Sequence, residues 1–384
     1  MVTQQFIEPQ TRIYKTFTYK EIDRVPDVEF GYWPQTIQAW VKQGFPQELV
    51  DTIGDDAFSN IFADYFGLDQ LVEGYYKGKV NIPVYTDIDP PYEIVVLEED
   101  EETEVRRDRD GTIARWYKHK SGFASIPQYL EYPVKNRLDW GEFKKRLRIE
   151  SPVRKIDPKV WDQARKAAAA GFEVTSTATG FYGQLRNWLG VEGLSYLLYD
   201  DPALVEEMLD HHLQLILNSL EQVPDDVPIH RFSWWEDMCF NYGPLISPRT
   251  FEKLMVPLYK RVTAILEKHG CCLQSVDCDG LIHDLVPGWL DAGINIMFPC
   301  EVAAGTDMFM LRKKYGKKVL LQGGIDKRVL ISGKDAIDKE LERIAPLLEQ
   351  GGYIPHLDHL IPPDVTLKNY LYYLEQKWKL IGKE

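Results

Sequence analysis

The sequence predicts an α/β fold: a (β/α)8 TIM barrel with an N-terminal helical and antiparallel β extension. Three observations predict it. From about residue 170 short apolar runs alternate with amphipathic helical stretches, the pattern of a parallel sheet with crossover helices. The length and the number of these repeats suit a closed barrel better than an open doubly wound sheet. Five successive strand candidates also end in acids, amides or histidines, and barrels collect their function at such strand ends. The expected organisation is an extension over residues 1–135 and a barrel over residues 136–384, acting as one functional unit.

The elements follow in chain order. Residues 1 to about 75 read as mainly helical, because WPQTIQAWVKQGF and PQELVDTIG carry apolar residues at helical spacing. Residues 76–135 read as an antiparallel excursion, with β-rich runs, the pair Pro90-Pro91 and a turn at Asp110-Gly111. The acidic run from Glu98 to Glu104 fits a solvated strand edge or loop. FEVTSTATG is the first strand of the rhythm, followed by helices through GQLRNWLGVEGLSYLL and DPALVEEMLDHHLQLILNSLEQV. VPIHRFSWWED is the next strand. The helix after it starts at Ser247-Pro248, where Ser caps and Pro suits the first turn. CCLQSVDCDG, INIMFPCE, KVLLQGGID and YIPHLDH are the remaining strands, each with its helix.

Composition narrows the function. The chain has 384 residues and a formal net charge of −14, so it repels phosphate backbones and anionic lipid. Nucleic acid and membrane surfaces are therefore not expected as partners. Five cysteines without framework spacing fit reduced thiols, and the N-terminus lacks a signal-peptide core. No apolar run approaches the length of about 20 residues that spans a bilayer. The expected location is the cytoplasm.

The polar strand ends are Trp235-Glu236-Asp237, Asp277-Cys278-Asp279-Gly280, Pro299-Cys300-Glu301, Gln322-Gly323-Gly324-Ile325-Asp326 and His356-Leu357-Asp358-His359. Together they predict one lined cavity. Asp326 serves either as part of it or as a cap of the next helix, and Asp307 reads as a cap. His211-His212 read as a surface or packing pair. His269 stands at a helix C-terminus, and His283-Asp284 open a helix in a structural role. His356 and His359 are the histidines expected at a strand end. Cys271 and Cys272 are expected to pack in their strand, and Cys278 to point to the face opposite Asp277 and Asp279.

Several stretches resemble the uroporphyrinogen decarboxylase superfamily. The likeness runs from about residue 60 to the end. It rests on WED at 235–237, LISP at 245–248, the carboxylate-Gly strand end at 279–280, GGID at 323–326 and GGYIPHxxHxIP at 351–362. The resemblance implies a (β/α)8 barrel. An N-terminal basic signature of the type RQAGRY, which grips porphyrinogen carboxylates, is missing near the start. Arg186, Arg231, Arg249 and Lys327 are scattered, and Arg231 is expected to be structural or outside the pocket. The resemblance therefore points to the corrinoid-dependent methyltransferase branch, with cobalamin carried by a corrinoid protein as partner.

In that branch thiol-activating enzymes hold zinc by a His-x-Cys pair and a later Cys. Here the pair reads Asp277-x-Asp279, and Cys300 matches the later position. Zinc is possible but not favoured. The expected activity is transfer of a methyl group from an aryl methyl ether to the Co(I) of a corrinoid protein. A zinc-dependent methyl-corrinoid:thiol methyltransferase, with ligands among Asp277, Asp279, Cys300, Glu301 and His356, is the alternative, and a porphyrinogen-type decarboxylase a further one. Ether cleavage needs an acid at the leaving oxygen, and clustered carboxylates retain a proton because like charges raise each other's pKa. The catalytic candidates are Asp279, Glu236 and His356. The substrate-binding candidates are Trp235, Asp237, Tyr242, Asp277, Glu301, Gln322, Asp326, His359 and Tyr182. Trp234 and Phe240 are further possible aromatic walls.

Overall fold

The computed structural model describes residues 6–53, 58–69, 80–118 and 126–383. The expected passage from helix to strand near residue 75 lies outside them. Seven strands form one all-parallel sheet in the order β1 (Val80–Ile82), β6 (Val174–Thr179), β7 (Arg231–Trp235), β10 (Leu273–Asp277), β11 (Ile296–Phe298), β12 (Leu320–Ile325) and β13 (Tyr353–Leu357). β1 lies within the stretch 1–135, so the sheet draws its edge strand from there. Beyond β13 stands an extended segment, residues 28–32. The Ile361 N–H donates to the Gly31 carbonyl at 3.1 Å, and Tyr32 bridges Ile361 in parallel.

The remaining strands are local. β2 (Val95–Glu99), β3 (Thr103–Arg107), β4 (Ile113–Tyr117) and β5 (Gln128–Glu131) form the expected antiparallel excursion, and the acidic run lies mostly exposed on its β2–β3 turn. β8 (Cys239–Phe240) and β9 (Gly243–Pro244) form a small hairpin.

The helices preceding the rhythm are α1 (Arg12–Phe17), α2 (Pro34–Val41), α3 (Gln47–Ile53), α4 (Asn60–Phe66), α5 (Arg137–Phe143) and α6 (Lys159–Ala169). Those between and after the later strands are α7 (Phe181–Asp200), α8 (Pro202–Leu220), α9 (Pro248–Leu254), α10 (Val256–Lys268), α11 (Val286–Asp291), α12 (Met308–Tyr315), α13 (Val329–Ser332), α14 (Lys334–Gln350) and α15 (Leu367–Ile381). Ser247 caps α9 by accepting the Thr250 N–H, as its sequence predicts.

Strand parity decides which side chains face which way. On β7, Phe232 and Trp234 point outward, and Trp234 stacks edge-on against Tyr259 of α10 at 4.9 Å. Arg231 and Trp235 point inward. At the N-terminal ends of the strands, Leu273, Ile296, Leu320 and Ile354 pack with Ile13, Tyr14, Phe17 and Val28. Helix α1 thereby plugs that end, each fully buried large side chain contributing about 1.5–3 kcal/mol. What stays open is the opposite, C-terminal end.

Candidate functional site

A cavity of about 660 Å³ runs into the C-terminal end of the strands. Its rim is acidic. Asp237, Asp277 and Asp279 each bring a carboxylate oxygen within 4.8 Å of the others. The chain places them there by two devices. Asp277 ends β10, and the turn after β7 bends through Asp237, whose φ of +47° is unusual for a residue with a side chain. Arg186 of α7 holds that turn: its Nη1 donates to the Asp237 carbonyl at 2.6 Å, and its guanidinium lies over the Trp235 ring at 4.9 Å. The Asp279 N–H donates to Asp237 Oδ1 at 3.3 Å. Burial, and then the charge of Asp279, hold the Asp237 carboxyl above its ordinary range. Beside the trio His359 Nε2 lies 3.3 Å from Asp279 Oδ2.

The walls are aromatic. Phe30 meets Phe298 edge-on at 4.8 Å and His359 at 5.4 Å, and Trp33 stacks on His359 at 6.1 Å. Phe62 and Trp235 add to the apolar lining. Deeper in stand Arg231, Ser275, Gln322 and His356, all on strands. His356 is 1 % exposed. Its Nδ1 donates to the Leu357 carbonyl at 2.6 Å, which leaves Nε2 as a lone-pair acceptor without a partner among the described residues. Burial pushes its pKa down to about 3, so the ring is neutral.

Of the residues expected to share a site, the structure brings together Asp279, His356, Trp235, Asp237, Asp277, Gln322 and His359. The other five stand elsewhere. Glu236 is fully buried on the far side of its strand, where it accepts the N–H groups of Phe181 at 2.8 Å and Gly183 at 2.7 Å at the start of α7. Burial pushes its pKa up to about 8 against those donors. Tyr182 is buried beside it in the core, its hydroxyl pushed up to about 12 by burial. Tyr242, at the tip of the β8–β9 hairpin, is 93 % exposed. Glu301 accepts the Gly280 N–H at 3.0 Å and pairs with Lys327 at 3.4 Å, which stitches neighbouring loops. Asp326 caps its own turn by accepting the Arg328 N–H at 2.9 Å. Asp307 caps α12, as read from the sequence.

The reading of Arg231 as structural or outside is half corrected. It is buried and paired, yet it lines the cavity, because parity on β7 sets it on the same face as Trp235. Glu29, Phe30, Trp33 and Phe62 had no site signal, since they lie far from the strand ends in sequence.

The rim carboxylates form a hard-ligand set that suits a cation such as Mg²⁺ or Ca²⁺ better than thiolate-bound zinc. The thiols do not join them. Cys278 turns away and accepts the Met238 N–H at 3.3 Å, and Cys300 is buried with its Sγ on the Met297 carbonyl. Burial pushes the Cys300 thiol up to about 12. Cys271 is buried, whereas Cys272 is exposed.

One solved structure agrees with the fold. A solved structure described as a methyltransferase from Methanosarcina mazei superposes over 98 % of this chain and 100 % of its own, with a TM-score of 0.55 at 14 % identity. A B12-independent methionine synthase from Shewanella sp. W3-18-1, in complex with selenomethionine, aligns over 93 % of this chain and 95 % of its own at 13 % identity, with a TM-score of 0.41. The family model described as uroporphyrinogen decarboxylase (URO-D) matches residues 186–376, which include the rim acids, Gln322, His356 and His359. No helix among the described residues is long and apolar enough to cross a membrane. Over residues 186–376 this α/β barrel chain is therefore similar to the URO-D family.

Proposed function

We propose that this protein is a corrinoid-dependent methyltransferase that demethylates an aryl methyl ether, with the corrinoid carried by a partner protein. The observation that carries this reading is the carboxylate trio with His359 at the rim of an aromatic-walled cavity. A phenoxide is a poor leaving group until its oxygen is protonated. Burial and the neighbouring charge of Asp279 raise the Asp237 carboxyl despite Arg186, which favours a proton on it at the rim. Asp237 is the acid of the trio, and His359 orients Asp279. Phe30, Trp33, Phe298 and Trp235 hold the ring flat and exclude water, which strengthens the hydrogen bond to the ether oxygen.

A cavity of about 660 Å³ takes one ring-sized substrate, so a corrin macrocycle would be presented at the open mouth rather than inside. When bound there, a Co(I) corrinoid would supply the nucleophile for the methyl group. The alternative of zinc-dependent thiol methylation does not fit the residues, because Cys278 and Cys300 are buried away from the trio. A quaternary ammonium donor fits less well than an ether. Its leaving amine is neutral and needs no acid, and ground-state pairing with the trio would slow the reaction.

The test mixes the protein with free cob(I)alamin and guaiacol, anisole or methoxybenzoates under reducing conditions. Phenol release with loss of the Co(I) absorption is expected. The reading falls if no ether in the panel is demethylated above the rate without protein.

A further inference from the structure

We infer that the floor of the cavity recognises a carboxylate on the substrate through Arg231 and Gln322. The inference rests on the functional reading above and narrows its substrate to an aromatic ether acid. Arg231 opens β7 and is 4 % exposed. Its Nε stands 3.2 Å from Glu173 Oε2, in an ion pair too poorly aligned for a hydrogen bond. Glu173 is itself fixed by the Thr11 hydroxyl at 2.5 Å. The pair thus holds the guanidinium from its Nε side. Among the described residues its terminal nitrogens have no hydrogen-bond partner. Unlike Nε they are not sealed from open space, and the residue lines the cavity.

Gln322, on β12, is 3 % exposed, lines the same cavity and has no side-chain hydrogen bond among the described residues. Charged and amide groups that face a cavity without a protein partner leave their hydrogen-bonding capacity for whatever fills the cavity, a polar ligand or water. A guanidinium held from one side presents a planar fork of two parallel N–H donors, the shape of a carboxylate. A phosphate dianion fits worse, because it would meet one cation already shared with Glu173 and carboxylates at the mouth. Ser275 adds a hydroxyl at this depth, already donating to Ser233 Oγ at 2.9 Å.

The spacing suits one substituted ring. Arg231 and Trp235 are four residues apart on one strand, about 13 Å at roughly 3.3 Å per residue. Phe298 and Phe30 flank the path between floor and rim. A ring with its acid group at Arg231 therefore points its far substituent at the rim carboxylates, where a methyl ether would meet the proton donor.

The test is binding to the intact chain without any corrinoid, read by tryptophan fluorescence and calorimetry. 3-Methoxybenzoate and 4-methoxybenzoate are compared with their methyl esters, their amides and anisole. The acids are expected to bind about tenfold or more tighter than the esters and amides, as two charge-assisted hydrogen bonds require. Gln322→Leu should cut the affinity for the acids several-fold and leave anisole unchanged. The double variant Arg231→Met with Glu173→Gln removes both charges together and should erase the preference for acids. Equal binding of acid and ester by the unaltered protein overturns the inference, and so does a preference that survives in the folded double variant. If acids are preferred but no ether is demethylated, the floor site stands and the functional reading falls. If anisole is demethylated and acids are not preferred, the reverse holds.

Discussion

His359 Nε2 and Asp279 Oδ2 lie 3.3 Å apart, joining the loop after β13 to the loop after β10 across the barrel mouth. The two loops are eighty residues apart in sequence (359 against 279), and only the sheet brings them together. The contact orients one carboxylate of the trio and, through Trp33 stacked on His359, ties the N-terminal segment to the same rim. Asp279, His359 and Trp33 therefore form one continuous set of contacts at the rim.

The first prediction follows from that set of contacts. Asp279→Asn removes a charge from the trio and weakens its hold on a shared proton. The rate of ether cleavage should fall by about a hundredfold or more, the usual size of a lost general acid contribution. Affinity for a methoxybenzoate should change little, since the ring is held by aromatic walls. Single-turnover phenol release and fluorescence titration separate the two. An equal loss in both would assign Asp279 to binding alone.

The second concerns pH. Asp237 has its pKa raised by burial and then by Asp279. The active form is the one that still carries the proton, so the cleavage rate should fall as pH rises, with a midpoint above the ordinary carboxylate range. Asp237→Asn should lower the rate and flatten that limb of the profile. A profile that rises with pH would mean that the trio acts as base and not as acid.

The third separates Glu236 from the chemistry. It accepts N–H groups at the start of α7, and a Cβ added at Gly180 would stand 2.0 Å from its Oε1. Its pKa is raised from 4.5 to about 8. Between those values the folded protein keeps a proton that the unfolded chain has lost. Stability should therefore fall as pH rises through that window and level off above it. Glu236→Gln should remove this part of the slope. Denaturant titrations of both proteins at several pH values measure it, and an unchanged slope would show that the buried carboxyl is already ionised.

These placements show what a sequence carries. The strand ends were legible because alternation and glycine punctuation mark them, and Asp237, Asp277, Asp279, Gln322, His356 and His359 do line one cavity. Parity was legible too, though less plainly. With Trp235 facing in, Glu236 must face out, and Arg231, four residues earlier, must face in. The N-terminal contribution was not legible. Phe30 and Trp33 reach the site through a bridge between Tyr32 and Ile361, a pairing more than three hundred residues long that no local period encodes. Asp326 and Tyr242 were drawn in by their neighbours in sequence. The first closes its own turn, and the second rides an exposed hairpin tip.

The last prediction tests the packing beneath the cavity. Gly323 has φ +92°, a conformation that side chains rarely adopt. An added Cβ would stand 2.0 Å from the Pro299 carbonyl oxygen and 3.1 Å from His356 Cε1. The carbonyl cannot step aside, because it also accepts the Gly324 N–H at 3.0 Å and so joins β12 to the loop after β11. Tyr353 fixes the other side by donating to the Gly323 carbonyl at 2.8 Å. Gly323→Ala must therefore displace β12, carrying Gln322 with it. A loss of about 3 kcal/mol or more is expected from strain and broken pairing. Thermal unfolding measures that loss. Methoxybenzoate binding by whatever folded protein remains should weaken along with it, because the strand that carries the amide has moved. Gly316→Ala, at a glycine with open space around its Cβ position and also at positive φ, serves as control. It should cost only the backbone strain and leave binding intact. Equal losses in the two variants would mean that positive φ, and not the close approach to Pro299, is what Gly323 supplies.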